Sequence, residues 1–224
     1  MNSTTKTILV TGASNGIGLA LTEKLLKERM NVIAVTRSGE VPGPKSERLR
    51  IIKGDISKEE SINEVAAELQ RQDIKLDFLV NNAGVGPDLG VGVPTSVLMR
   101  DTFEVNTFGT VLFTEAILPH LKDGAHIVFL STAMALMRNV GPSGPAYRMS
   151  KAAINVYALM LGQRLAERNI NVTPLHPGWV QTRMGGEAAP STIEESVNGI
   201  FLAITTNQET GKFWNVDAGG LEDY

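Results

Sequence analysis

The chain has 224 residues, a formal net charge of −3 and no cysteine; 42% of its residues are hydrophobic and 20% charged. That is the balance of an ordinary globular chain, long enough to bury one α/β core as a single unit. Lysine and arginine do not cluster, so no nucleic-acid partner is expected, and the lack of cysteine excludes disulfides, cysteine metal sites and a thiol nucleophile.

The chain opens MNSTTKTILV, whose apolar run is too short for a signal-peptide core. No apolar stretch reaches the length of a bilayer span, so a soluble, cytoplasmic protein with no membrane partner is expected. Residues 6–11 (KTILVT) are β-branched and apolar and run into a glycine cluster. Over 16–29, Ile17, Ala20, Leu21 and Leu25 recur at helical spacing. NVIAVTR (31–37) and LRIIKGD (49–55) read as the second and third strands. Ser57 with Glu60 predicts a capping box for a helix carrying Ile62, Val65, Ala66 and Leu69 on one face.

LDFLVNNAG (76–84) is the fourth strand with its turn, and the Gly/Pro-rich segment 86–95 is a loop. A long helix around 97–121, a fifth strand at 126–132 (HIVFLST), a helix over 145–168 and a sixth strand at 170–178 follow. Thr192 with Glu195 opens another helix, and KFWNVD (212–217) is a seventh strand. Continuous apolar strands alternating with helices predict a single-domain Rossmann fold spanning 1–224: a doubly wound parallel sheet of about seven strands, helices on both faces. In such a sheet ligands bind at the carboxyl ends of the strands.

The segment TGASNGIG (11–18) lies between the first strand and first helix. Glycines there let the backbone approach a pyrophosphate, which the helix N-terminus attracts. The spacing Gly12, Gly16, Gly18 differs from the general G-x-G-x-x-G pattern. At the end of the second strand, where an acid would bind a ribose 2′-hydroxyl, the chain has Thr36, Arg37 and Ser38. Arg37 offers a donor fork suited to a 2′-phosphate, and equally fits a solvated strand-end charge. Tyr147 and Lys151 share one face of a helix. An ammonium beside a phenol lowers its pKa and makes it a usable general acid/base; the same pair also fits a half-buried tyrosine beside a surface lysine. His120, His126 and His176 have no ligand spacing, so no metal is expected.

Taken together, TGASNGIG (11–18), NNAG (81–84), Asn106, LST (130–132), YRMSK (147–151) and PGWVQT (177–182) occur in an order that resembles the short-chain dehydrogenase/reductase family. The ending and the segment MRNVGPSGPA before Tyr147 resemble its branch of C-factor-type and sniffer-like carbonyl reductases. The resemblance implies hydride transfer between NADP(H), preferred over NAD(H), and a small carbonyl or secondary alcohol substrate. A C-factor-like signalling or sensor protein with little turnover is the alternative it leaves open. It implies Tyr147 as proton carrier, Lys151 as its partner and ribose ligand, and Asn106 as a holder of helix geometry and of a relay water. It places a substrate-oxygen hydroxyl at the end of the fifth strand, with Thr132 at the aligned position and Ser131, just before it and expected to face the other side of the sheet, as the second catalytic candidate.

Cofactor contacts carry over to Gly12, Ser14, Asn15, Gly16, Ile17 and Gly18 in the first turn; to Arg37, Asp55 and Ile56 after the second and third strands; to Asn82, Ala83 and Gly84; to Tyr147 and Lys151; and to Pro177, Gly178, Val180 and Thr182. Asp55 equally fits a turn residue. Met134, Leu136, Trp179 and Met184 would line an apolar substrate pocket, or serve as core and lid packing. A homodimer or homotetramer is the assembly the resemblance implies.

Overall fold

The computed structural model describes residues 5–43 and 45–224. Strands β1 (Thr7–Thr11), β2 (Asn31–Thr36), β3 (Leu49–Lys53), β4 (Leu76–Asn81), β5 (Leu121–Leu130), β6 (Asn171–His176) and β7 (Phe213–Asn215) all run parallel. An eighth strand, β8 (Gly220–Glu222), adds an antiparallel edge to give the order β3-β2-β1-β4-β5-β6-β7-β8. β7 is equally short but carries Phe213 and Trp214, whereas β8 holds the single apolar residue Leu221 between Gly220 and Glu222, which leaves no apolar run to read in the sequence. The single-domain Rossmann architecture is as expected, with eight strands in place of seven.

Helices α1 (Gly16–Lys27) and α6 (Ile193–Thr206) cover one face of the sheet. Helices α2 (Glu59–Arg71), α4 (Thr110–Ile117) and α5 (Pro145–Arg164) cover the other. Neighbouring residues of β1 divide between the two cores, Ile8 and Val10 with α1 and α6, Leu9 with the opposite layer, because side chains alternate across a strand. Burial of both faces explains why the strands read as unbroken apolar runs. β1 has β2 on one side and β4 on the other, so the chain reverses its winding there and opens a crevice at the strands' carboxyl ends.

Four local expectations are corrected. Ser57 does not cap α2: its hydroxyl and amide donate to Asp55 Oδ1 at 2.7 and 3.1 Å, and Lys58 is the N-cap. The Asp55 turn competes for the same serine. The helix expected over 97–121 is divided into α3 (Ser96–Phe103), a π-helical turn over Glu104–Gly109, α4 and a 3₁₀ turn over Leu118–His120. Pro119 cannot continue the helix, and Leu121 already pairs with Leu76 in the sheet. The fifth strand ends at Leu130, two residues short of the expected limit. α5 stops at Arg164, with a 3₁₀ turn to Arg168 and Asn169 at φ 51° before β6. The Thr192–Glu195 capping box forms as expected, each partner bonding the other's backbone amide. Among the described residues no helix is long and apolar enough to cross a membrane.

Candidate active site

The crevice is a cleft of about 380 Å³ along the carboxyl ends of β1 to β6. Its floor is the turn from β1 into α1. Gly12 and Gly16 take φ values of 66° and 52°, open to glycine and costly for other residues. A Cβ on Gly18 would lie 2.3 Å from the Gly12 carbonyl oxygen, so the third glycine is required by helix–strand contact. Asn82 braces this turn: its Nδ2 donates to the carbonyls of Thr11 and Gly12 at 2.8 and 3.1 Å. The amides of Asn82 and Ala83 donate to Thr11 Oγ1. Asn15, the N-cap of α1, makes no side-chain cap, and the first turn holds no acid. The free amides at the start of α1 and its positive end therefore face the cleft, whose wall includes Ser14, Asn15 and Ile17.

Arg37, Asp55 and Ile56 stand beyond the ends of β2 and β3, in the same wall. Arg37 is exposed. Burial pushes the Asp55 carboxyl up, but the Ser57 hydroxyl and amide, with the charges of Arg37 and Lys58, outweigh it and hold the group below its ordinary range. Beside Arg37, Thr36 is 2% exposed and its Oγ1 has no partner within the protein. A buried polar atom in a cavity wall, a backbone cradle with no room for a Cβ at Gly12 or Gly18 and an unopposed helix terminus together fit a dinucleotide phosphate.

Asn106, Tyr147, Lys151 and the end of β5 converge on the far side of β1. Tyr147 and Lys151 project from the buried face of α5, and both line the cleft. Lys151 Nζ donates to the Leu130 carbonyl at 2.7 Å. Burial pushes Lys151 down to about 8. Burial pushes the Tyr147 phenol up to about 12, against the opposing pull of the Thr132 hydroxyl. The lowering of the phenol by an adjacent ammonium, expected from the sequence, is not what this geometry gives: desolvation dominates both groups.

Asn106 is fully buried in the π-helical turn, a place where extra backbone length lets a side chain reach inward. Its Oδ1 accepts from the Val85 amide at 2.8 Å, and its Nδ2 donates to the Val85 carbonyl at 2.8 Å and to Ser150 Oγ at 3.1 Å. Ser150 in turn donates to the Tyr147 carbonyl. Asn106 thus ties the segment after β4 to the helix that carries Tyr147, and both Nδ2 hydrogens are committed to protein.

Ser131 and Thr132 lie past the end of β5, so strand alternation does not govern them. Ser131 borders the cleft, but its hydroxyl donates to Asn155 Oδ1 at 2.6 Å. The Thr132 hydroxyl accepts from the Met134 amide at 3.2 Å and acts on the Tyr147 phenol.

The remaining expected residues divide. Gly84, Pro177, Thr182 and Met184 border the cleft. Gly178 and Val180 stand behind it: Gly178 has φ 90° with Asp217 Oδ1 2.6 Å from its would-be Cβ, and Val180 pairs with Ser191. Leu136 is 2% exposed and packs as core, whereas Trp179 is 54% exposed with its indole donating to the Gly185 carbonyl. Met134 is half-buried, its carbonyl held by Arg148. Sequence reasoning missed Arg148, whose guanidinium also bonds the carbonyls of Asn139 and Ser143 and so draws the segment before α5 together. It also missed Val85, Val105 and Arg183 in the wall. The YRMSK motif contains Arg148, but its backbone acceptors carry no sequence signal.

The family profile described as short chain dehydrogenase matches residues 6–192. Estradiol 17-beta-dehydrogenase 2 of Rattus norvegicus is 37% identical over 81% of this chain, which spans only 50% of that relative's length. The C-signal protein of Myxococcus xanthus is 36% identical over 62% of this chain and 88% of its own. Among solved structures, the carbonyl reductase Sniffer of D. melanogaster has a TM-score of 0.90 at 27% identity, covering 99% of this chain and 100% of that one. The NADPH-bound carbonyl reductase from chicken fatty liver has a TM-score of 0.86 at 28% identity, covering 98% and 99%.

Proposed function

Because the chain belongs to the short-chain dehydrogenase family and is an oxidoreductase of that family, we propose that it is an NADP(H)-dependent enzyme interconverting a carbonyl compound and a secondary alcohol, with the whole chain as one dinucleotide-binding and catalytic domain. The observation that carries this reading is the buried Tyr147 phenol, in one cleft with Lys151 and beside the Thr132 hydroxyl. Bound in the cleft, the nicotinamide supplies or accepts the hydride. Tyr147 Oη carries the proton to or from the substrate oxygen. A phenol held protonated by burial is the form that donates in the reductive direction. The Thr132 hydroxyl orients the substrate oxygen, and Lys151 binds the nicotinamide ribose from its anchor on the Leu130 carbonyl.

Arg37 is assigned to the 2′-phosphate and the amides at the start of α1 to the pyrophosphate. NADPH in the chicken carbonyl reductase supports the same cofactor here. The exposed Met184 sits where an apolar substrate would meet the cleft. Exposed Phe108, Leu112, Val156 and Met160 on the outer surfaces of the π-helical turn, α4 and α5 support a dimer or tetramer.

The test is oxidation of NADPH by the purified protein against a panel of aldehydes and ketones, followed by absorbance of the reduced nicotinamide. Turnover of one of these sustains the reading; tight NADPH binding with no turnover across the panel overturns it. That second result is what the likeness to C-signal carries as an alternative, a nucleotide-binding signalling protein.

A further inference from the structure

Helix α5 begins without a cap of its own. Its N-cap, Gly144, has no side chain and sits at φ 70°, and Pro145 follows with no amide hydrogen. The amides of Ala146 and Tyr147 therefore have no partner inside the helix. Both are met by one side chain from a loop 58 residues before Ala146. Asp88 Oδ2 accepts from Ala146 N at 2.6 Å and from Tyr147 N at 3.3 Å, and Asp88 Oδ1 accepts from Tyr147 N at 3.2 Å. Asp88 is 0% exposed. A carboxyl group so deeply buried is costly unless hydrogen-bonded. Here the two amides and the positive end of α5 offset that cost.

The loop that carries Asp88 also packs on the tyrosine ring. A Cβ on Gly86 would lie 3.3 Å from Tyr147 Cδ2 and 2.8 Å from Leu89 Cδ1, so loop and ring are in close contact. The Val91 amide donates to the Asp88 carbonyl, and the Gly144 amide donates to the Val91 carbonyl, each at 2.9 Å. Loop, N-cap and Tyr147 form one hydrogen-bonded unit.

We propose that Asp88 is a positioning residue for Tyr147: it supplies from a distant loop the cap that α5 lacks, and so fixes the depth of the phenol in the cleft. The inference rests on the reading of Tyr147 as the proton carrier. A displacement of about 1 Å at a reacting group can cost up to 10²-fold in rate. Asp88→Ala should therefore lower kcat by about 10- to 100-fold, assayed well below Tm, with KM little changed. The Kd for NADPH, read by fluorescence titration, should change far less than kcat, because the glycine turn and Arg37 stand outside α5 and only the Lys151 contact is carried on it. Asp88→Asn should recover part of the loss, since an amide oxygen in the place of Oδ2 still meets both N–H groups. Hydrogen-exchange mass spectrometry should show faster exchange in the first turn of α5 for Asp88→Ala, and less so for Asp88→Asn.

If Asp88→Ala does not fold, Asp88→Ser carries the test, its shorter side chain being unable to reach both amides: slower turnover with faster exchange at 146–147 supports the proposal, and wild-type turnover overturns it. A lower Tm with unchanged kcat also overturns it, since the carboxyl group would then be a stabilising cap alone. Tyr147→Phe, run alongside, separates the two readings. If Tyr147→Phe is inactive while Asp88→Ala keeps the wild-type kcat, only this proposal fails; if Tyr147→Phe is active, the proton-carrier reading fails and this one with it.

Discussion

Ser131 and Thr132 are adjacent hydroxyl residues, and replacing each with alanine should give two different defects. The Ser131 hydroxyl is spent on Asn155 Oδ1, and both residues are buried, at 3% and 4% exposure. Ser131→Ala leaves that acceptor without its donor, at a cost of about 1–3 kcal/mol. For a chain of this length each kcal/mol moves Tm by roughly 2–4 °C, so a fall of several degrees is expected. The Thr132 hydroxyl acts instead on Tyr147. Thr132→Ala removes a preorganised group at the reacting oxygen and should lower kcat by roughly 10²–10³-fold. Thr132→Ser keeps the hydroxyl and should be tolerated. The assay is kcat/KM with one carbonyl substrate, with Tm by circular dichroism for all three variants. Ser131 borders the cleft and Thr132 does not, which makes the pair of alanine variants a direct test of the assignment. A collapse of kcat in Ser131→Ala beside near-normal turnover in Thr132→Ala would refute the assignment of roles.

Tyr147→Phe should lose roughly 10²–10⁴-fold in kcat while the Kd for NADPH barely changes; an active Phe variant rules the phenol out as proton carrier. Arg37→Asp should invert the preference between NADPH and NADH in kcat/KM, because the acid repels a 2′-phosphate and accepts from a 2′-hydroxyl; an unchanged preference removes Arg37 from the cofactor site. Gly18→Ala forces a methyl group to within 2.3 Å of the Gly12 carbonyl and should both weaken NADPH binding and destabilise the fold by roughly 1–3 kcal/mol; wild-type binding and Tm would show that the turn yields. His126 is buried between the Ile204 carbonyl and Thr173 Oγ1, and burial lowers it to about 4. The unfolded chain takes up this proton near pH 6.5 and the folded chain does not, so stability is full above pH 6.5 and falls as pH drops towards 4, by roughly 3 kcal/mol in all. Urea midpoints of wild type and His126→Gln across that window test it, and equal slopes would contradict it.

Much of the site was legible as residue types in order. The glycine turn, Arg37, Tyr147 and Lys151 all border one cleft, because each stands at or just past the carboxyl end of a strand, or on the helix face turned towards it. Local competition hid other features. Ser57 is drawn to Asp55 and away from a helix cap, and Ser131 escapes strand alternation by a strand that stops one residue earlier. The electrostatics were less legible still, since the pull of an ammonium on a phenol is a pairwise idea and desolvation depends on everything packed around both groups.

Periodicity and motif order by themselves determined the alternating α/β fold, the dinucleotide cleft and the positions on which chemistry can be placed, because these follow from local propensity and from residues close in sequence. Only the tertiary structure decided which hydroxyl faces Tyr147, that Asn106 ties Val85 to Ser150, and that Asp88 caps α5. Those are contacts between residues far apart along the chain and made largely to backbone groups. Every residue carries an amide and a carbonyl, so the sequence holds no mark of which ones are left without a partner until the chain is folded.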